Sequence, residues 1–331
     1  MPNLRISEKS IKEVAENFYR VILPMPSRLE QVNVIVFAHE DGVTLFDTGF
    51  NLKDSFSMLE DSLKAIGRSV CDVDHVFITH YHADHCGMAG RIKEKSGAVI
   101  HMSEAGRQIL QRIENEELLD DERRRFYLEQ GIGEEKVDAM ASVIQRFRRA
   151  IFPFEVDEYL NCDKKYSIGG TSFEVLPTPG HSRDHVCFFF RKEGILLSGD
   201  HVLQAITPNL APDIFCPGFR SLRSFLDSLS VIREIPIAMI LPAHGAPFSN
   251  LRDRVDEMIK HHEDRKNRIL RSAEKCSRTA FEISVDIFGD DLSDFDLFLA
   301  LNETYVHLVE LVHEGIISKS WNGKWILYNV R

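Results

Sequence analysis

The chain has 331 residues, of which 44% are hydrophobic, enough for one large domain and a small one, and wholesale disorder is excluded. A net charge of −11 disfavours non-specific nucleic-acid binding, which needs clustered cations. No apolar run reaches the roughly 20 residues that span a bilayer, Met1–Lys9 lacks the apolar core of a signal peptide, and the six cysteines have no paired spacing; a cytoplasmic protein with reduced thiols is expected.

Strands are expected from Phe18 to Asp47. Val32–Phe37 and Val43–Phe46 are β-rich and flank a Glu40-Asp41-Gly42 turn, a hairpin pattern. A helix follows over Leu52–Ile66, a second near Met88–Lys95, and strand-like runs return at 98–101, 172–176, 186–190, 194–198 and 237–242. Helices are expected near 220–232 and 250–273. Residues from 103 to about 158 differ: they are helix-rich, carry Leu110, Phe126, Val137, Met140 and Phe147 among many charges, and break at Gly131-Ile132-Gly133. This insertion is read as a lid or pocket wall, against simple packing on the core or a homodimer interface. After 251 the pattern is helical and ends in two β-rich runs around Asn322-Gly323, a hairpin signal.

The chemistry concentrates in Thr79-His80-Tyr81-His82-Ala83-Asp84-His85, which directly follows the apolar run His75-Val76-Phe77-Ile78. Such a segment ends a strand and aims three imidazoles and a carboxylate into one cleft. Nitrogen and oxygen donors without a thiolate suit zinc, with iron or manganese as replacements. Three more donors end apolar runs beside small or turn-forming residues: His181 in Pro179-Gly180-His181, Asp200 in Ser198-Gly199-Asp200, and His244 in Ala243-His244-Gly245. Seven ligands exceed one zinc but suit two that share a carboxylate.

In this order and spacing the residues resemble the metallo-β-lactamase superfamily, over roughly residues 15 to 250. The resemblance implies an α+β fold, an αββα sandwich with the metals at one edge between two sheets. It implies that His80, His82 and His181 hold one metal, that Asp84, His85 and His244 hold the other, and that Asp200 bridges them. Phe46-Asp47-Thr48-Gly49 is similar to the family's strand-end turn, with Asp47 orienting an imidazole. Ala243 departs from the usual glycine but is small enough for a tight turn. The tail resembles the winged-helix-like domain that some members carry, lactamase-β-like endoribonucleases among them. Residues 1–250 are thus read as the catalytic domain and 251–331 as a helical, winged-helix-like module. Between Leu251 and Arg331 there are 12 Lys and Arg against 15 Asp and Glu, so a nucleic-acid surface is not expected there.

Two closely spaced cations can hold a bridging water as hydroxide, since a zinc-bound water has a pKa near ~7 instead of ~15.7. The expected activity is hydrolysis of a small acyl substrate (a thioester, ester or lactone) by a two-zinc enzyme, with Asp84 also accepting the proton of the attacking water. The alternatives are a metal-dependent endoribonuclease and a mononuclear-iron enzyme like the persulfide dioxygenases. His185 is read as a buried, hydrogen-bonded neighbour of the site and Cys86 as no ligand. His39, His75, His101 and His201 are read as local structure or solvated side chains. His261, His262, His307 and His313 are read as helix residues away from the metal.

Overall fold

The computed structural model describes residues 10–114, 116–214 and 216–331, without the side chains of 116–120. The Met1–Lys9 segment, on which the signal-peptide reading rests, lies outside the described residues.

Two sheets face each other. In the first, β1 (Ile11–Ala15), β2 (Phe18–Pro24), β3 (Gln31–Ala38) and β4 (Val43–Phe46) are antiparallel neighbours. Helix α1 (Lys53–Ala65) then returns the chain so that β5 (Val73–Phe77) pairs parallel to β4. The short α2 (Ala83–Cys86) and α3 (Ala89–Ser96) lead to β6 (Val99–Met102), parallel to β5. Three helices follow, α4 (Glu104–Glu114), α5 (Glu116–Glu129) and α6 (Glu134–Arg148), before β7 (Glu158–Tyr159) closes the sheet beside β6.

The second sheet has the order β12-β11-β10-β9-β8. Its strands are β8 (Lys165–Ile168), β9 (Thr171–Pro177), β10 (Val186–Phe190), β11 (Ile195–Gly199) and, after α7 (Ser221–Arg233), β12 (Met239–Pro242). Strands β11 and β12 are parallel. The tail adds α8 (Leu251–Ala273), α9 (Ala280–Phe288), α10 (Asp294–His313) and the hairpin β13 (Ile317–Trp321) with β14 (Ile326–Val330).

Side-chain alternation builds the layers. On β3, Ile35 and Phe37 turn inward with Phe46, Phe77, Phe173, Phe188 and Phe190, filling the space between the sheets. Val34 and Val36 turn outward with Leu45 and Val76, where Phe56, Leu59 and Leu63 of α1 and Ile92 of α3 cover them. On the other sheet Cys187, Phe189 and Leu196 meet Leu222, Phe225 and Leu229 of α7 and Val255 and Met258 of α8. The result is an αββα sandwich. Strand β10 is Val-Cys-Phe-Phe-Phe and fully buried because both of its faces are covered.

The expected elements match these within a few residues. Strands β1, β7 and β8 were not anticipated; β1 and β8 are edge strands of mixed exposure and β7 has two residues, so none carries a clear alternation. The insertion does more than cover the sandwich. Tyr127, Ile132, Val137 and Met140 share one core with Ile269, Ile283, Leu301, Leu308 and Tyr328 of the tail. Tyr127 and Tyr328 donate from their hydroxyls to Asn302 and Gln130 at 3.0 Å, tying the two segments with polar contacts inside that core.

Candidate metal centre

Every donor singled out in the sequence comes to one edge of the sandwich. His80, His82, Asp84 and His85 follow β5, His181 follows β9, and Asp200 and His244 follow the adjacent parallel strands β11 and β12. The glycines before two of them are conformationally required. Gly199 has φ +49°, and a Cβ there would lie 2.7 Å from His185 Nε2; Gly180 has φ +150°, and a Cβ would lie 2.5 Å from the Phe225 Cα.

The donors fall into groups. Ligand atoms of His80, His82 and His181 lie within 4.8 Å of one another, and so do those of Asp84, His85 and His244. His82 Nδ1 is 2.9 Å from His80 Nε2 and 3.0 Å from His181 Nε2. Asp200 stands between the groups. Its Oδ2 is 3.4 Å from His181 Nε2 and 3.6 Å from His85 Nε2, while its Oδ1 is 3.4 Å from His244 Nε2.

Neighbours fix which ring nitrogen faces the cleft. A carbonyl oxygen only accepts, so His181 Nδ1–H donates to Asn209 O (2.8 Å) and His244 Nδ1–H donates to Gln31 O (2.9 Å). His85 Nδ1 lies 2.8 Å from the Asp47 carboxylate. Each leaves Nε2 free to ligate. Asp47 itself sits at φ +60°, an uncommon backbone for a residue other than glycine, and accepts from the Thr79 N–H and hydroxyl. Thr48 clamps the same loop, donating from its hydroxyl to His85 O at 2.8 Å. Thr48, Thr79, Gln31 and Asn209 were not singled out in the sequence. Thr79 opens the histidine run and could have been, but Gln31 and Asn209 act through backbone carbonyls that no side-chain pattern marks.

Electrostatics add to the picture. Burial and the neighbouring imidazoles hold His82 down at about 3. Burial also lowers His244, yet Asp200 and Asp84 overcome this and raise it to about 9. Asp84 is lowered to about 2: burial would raise it, but His85 and His244 outweigh that. Two buried polar atoms at the centre, His85 Nε2 and Asp200 Oδ1, have no hydrogen-bond partner among the described residues. Such atoms cost free energy unless something occupies them. The all-nitrogen-and-oxygen donor set and these two atoms fit divalent cations.

The remaining histidines divide. His185 is buried beside the centre, 2.7 Å from Thr178 Oγ1, and accepts from the Asp200 N–H at 3.1 Å. Cys86 donates to Tyr81 O and stands outside the donor groups. His39, His101 and His201 are buried; none of the three is solvated. His75 and His101 pair at 2.9 Å across β5 and β6. His262 and His307 are buried too, 3.1 Å apart and near Glu303, in a cluster remote in sequence from the ligand loops.

A two-sheet sandwich with seven metal-compatible side chains gathered at one edge is the arrangement of a metal-dependent enzyme. A family model for the metallo-beta-lactamase superfamily matches residues 27–244, and the chain belongs to that superfamily. It is similar to "Probable metallo-hydrolase YqjP" of Bacillus subtilis (strain 168), with 24% identity over 95% of this chain and 98% of the relative. It is 25% identical to "Atrochrysone carboxyl ACP thioesterase" of Passalora fulva, over 86% of this chain and 73% of that one. The crystal structure of a metallo-beta-lactamase family protein from Thermus thermophilus superposes with a TM-score of 0.85 at 26% identity, covering 96% of this chain and all of the other. The chain is therefore an enzyme of this fold, whose chemistry calls for divalent metal ions. No described helix is long and apolar enough to cross a membrane.

Proposed function

We propose that the chain is a dinuclear metallohydrolase acting on a small acyl substrate, a thioester, ester or lactone. The observation that carries this is the Asp200 carboxylate, with one oxygen toward His181 and His85 and the other toward His244. In this reading His80, His82 and His181 hold one ion, Asp84, His85 and His244 hold the second, and Asp200 joins them. Zinc suits the donors, and iron or manganese can replace it. When bound, two such ions supply a nucleophile from water at neutral pH and polarise the scissile carbonyl. Asp84 Oδ2, 3.4 Å from His244 Nε2, takes up the proton of the attacking water. An acyl chain finds apolar surface nearby. Leu29 and Ile206 are 44% and 42% exposed and stand within three residues in sequence of Gln31 and Asn209, whose carbonyls hold His244 and His181. The relative named as a thioesterase is consistent with that substrate class. Residues 1–250 form the catalytic domain, and 251–331 form a winged-helix-like module that walls the cleft or pairs with a second subunit.

The test is metal quantification joined to a substrate panel of thioesters, esters, lactones and single-stranded RNA. Two ions per chain and acyl hydrolysis are expected. Asp84→Ala should lower turnover by about 10²-fold or more, the usual contribution of a positioned proton acceptor, and should also lower metal content. Full activity with both ions retained in Asp84→Ala would refute its role. One iron per chain with oxygen consumption, or RNA cleavage without acyl hydrolysis, would overturn the assignment.

Asp47→Asn tests the support of His85. Asparagine tolerates the left-handed backbone but removes the charged acceptor. Metal affinity, measured by competition with a chromophoric chelator, is expected to drop about 10–100-fold. Unaltered affinity would mean that Asp47 does not orient a ligand.

A further inference from the structure

A cavity of about 590 Å³ lies between the 205–209 segment and helices α8 and α10, a volume that suits a small organic ligand. Three cations and three acids contribute to its wall: Arg28, Arg254, Arg265, Glu257, Asp296 and Glu303. Two pairs close on themselves. Arg254 Nη1 is 3.0 Å from Glu257, and Arg28 Nη2 is 2.7 Å from Asp296.

The third pair does not close. Glu303 turns Oε1 toward His262 and His307, at 3.8 and 3.9 Å, and its Oε2 accepts from the Leu210 N–H at 3.4 Å. Burial pushes its carboxyl up to about 7, so it is an incomplete counter-charge at neutral pH. The Arg265 guanidinium is half-buried, stacked 4.3 Å from the Phe288 ring centroid, and its buried Nη1 has no hydrogen-bond partner among the described residues. A guanidinium fork of this kind can capture a flat or tetrahedral oxyanion at two points.

The cavity is joined to the metal centre by its own wall. Asn209 lines it and holds His181 through its carbonyl, while its side-chain amide donates to Leu299 O on α10 at 2.9 Å. Arg254 donates to Leu203 O and Ile206 O, at 2.7 and 2.8 Å, and fixes the same loop from α8. The 205–209 segment thus serves both as cavity wall and, through the Asn209 carbonyl, as the support of His181. We propose that this cavity binds an anionic group, phosphate or carboxylate, at the non-reacting end of the substrate, with Arg265 as its anchor. The word substrate rests on the hydrolase reading above; anion binding at Arg265 does not.

The experiment uses the metal-loaded protein, its Arg265→Gln variant and the conservative Arg265→Lys variant. Three acyl thioesters of one acyl group are compared, carried on pantetheine, on its 4′-phosphate and on a thiol ending in a carboxylate. The unmodified protein should prefer an anionic thioester by about tenfold or more in kcat/KM, through KM, as a charge-assisted contact implies. Whichever anion is preferred identifies the source. Arg265→Gln should bring the ratio to about one, and Arg265→Lys should restore part of it. Calorimetric titration with inorganic phosphate gives a readout independent of turnover, and Arg265→Gln should weaken that binding by about tenfold. Should Arg265→Gln not fold, a preference reduced but not lost in Arg265→Lys decides. An unchanged ratio and an unchanged phosphate isotherm in folded variants overturn the proposal. If no thioester is cleaved by the unmodified protein the hydrolase reading fails, while the phosphate titration still decides the cavity. Displacement of phosphate by single-stranded RNA that is itself cut would overturn the small-substrate assignment.

Discussion

Asp200→Ala is expected to yield a folded protein that holds fewer than two metal ions and turns over at least about 10³-fold more slowly, a loss of about 4 kcal/mol in transition-state stabilisation. The size follows from position. This buried carboxylate lies within 3.6 Å of His85 and 3.4 Å of both His181 and His244. Among the described residues no other donor faces both groups with different oxygens. Its removal leaves two clusters of imidazole with one fewer anion between them, so two dications would repel with less screening. The fold should survive, because the contact that locks this turn, Asp200 N–H to His185, belongs to the backbone. Asp200→Asn separates charge from shape: it fills the same space, and it should lose metal as well. Metal content, kcat/KM and a thermal melt on the same sample check all three statements. Retention of both ions and of turnover in Asp200→Ala would remove the bridge from the reading.

Chelation is expected to have the second large effect. Stripping the ions should abolish turnover and lower the melting temperature, with recovery of both on adding zinc. With free metal at ~1,000 times its dissociation constant, binding to the folded state alone adds about 4 kcal/mol. For a chain of this size that amounts to a shift on the order of 10 °C. The physical source is visible in the centre itself. Among the described residues His85 Nε2 and Asp200 Oδ1 are buried without hydrogen-bond partners, and His82 Nδ1 faces two other ring nitrogens within 3.0 Å. These residues would hold a cation, which would supply a partner for the lone pairs that burial leaves without one. A chelator-treated protein with full activity and an unmoved melt would show that the cluster is not a metal centre.

Much of the sandwich was legible because its signals are local. The β-rich run Val32–Phe37 and the continuous apolar run of Val186–Phe190 mark strands without reference to partners, and Asn322-Gly323 marks the hairpin between β13 and β14. The strands that were missed, β1, β7 and β8, are short or lie at a sheet edge. Of the two readings open for His101, local structure or a solvated side chain, burial selects the first: its ring stacks on Phe77 with centroids 4.1 Å apart.

The order of residues by itself determined which chemical groups this protein can bring to a metal and which runs become strands and helices. Both are properties of side-chain type and short-range spacing. The tertiary structure alone decided which nitrogen of each histidine faces the cleft, since Asn209 and Gln31 lie 28 and 213 residues away from the imidazoles that they orient. It alone joined the helical insertion to the tail in one core, and left Arg265 beside a cavity without a closed ion pair. Backbone carbonyls are the same in every residue, and packing between distant segments depends on how whole elements dock, so neither leaves a mark in local sequence.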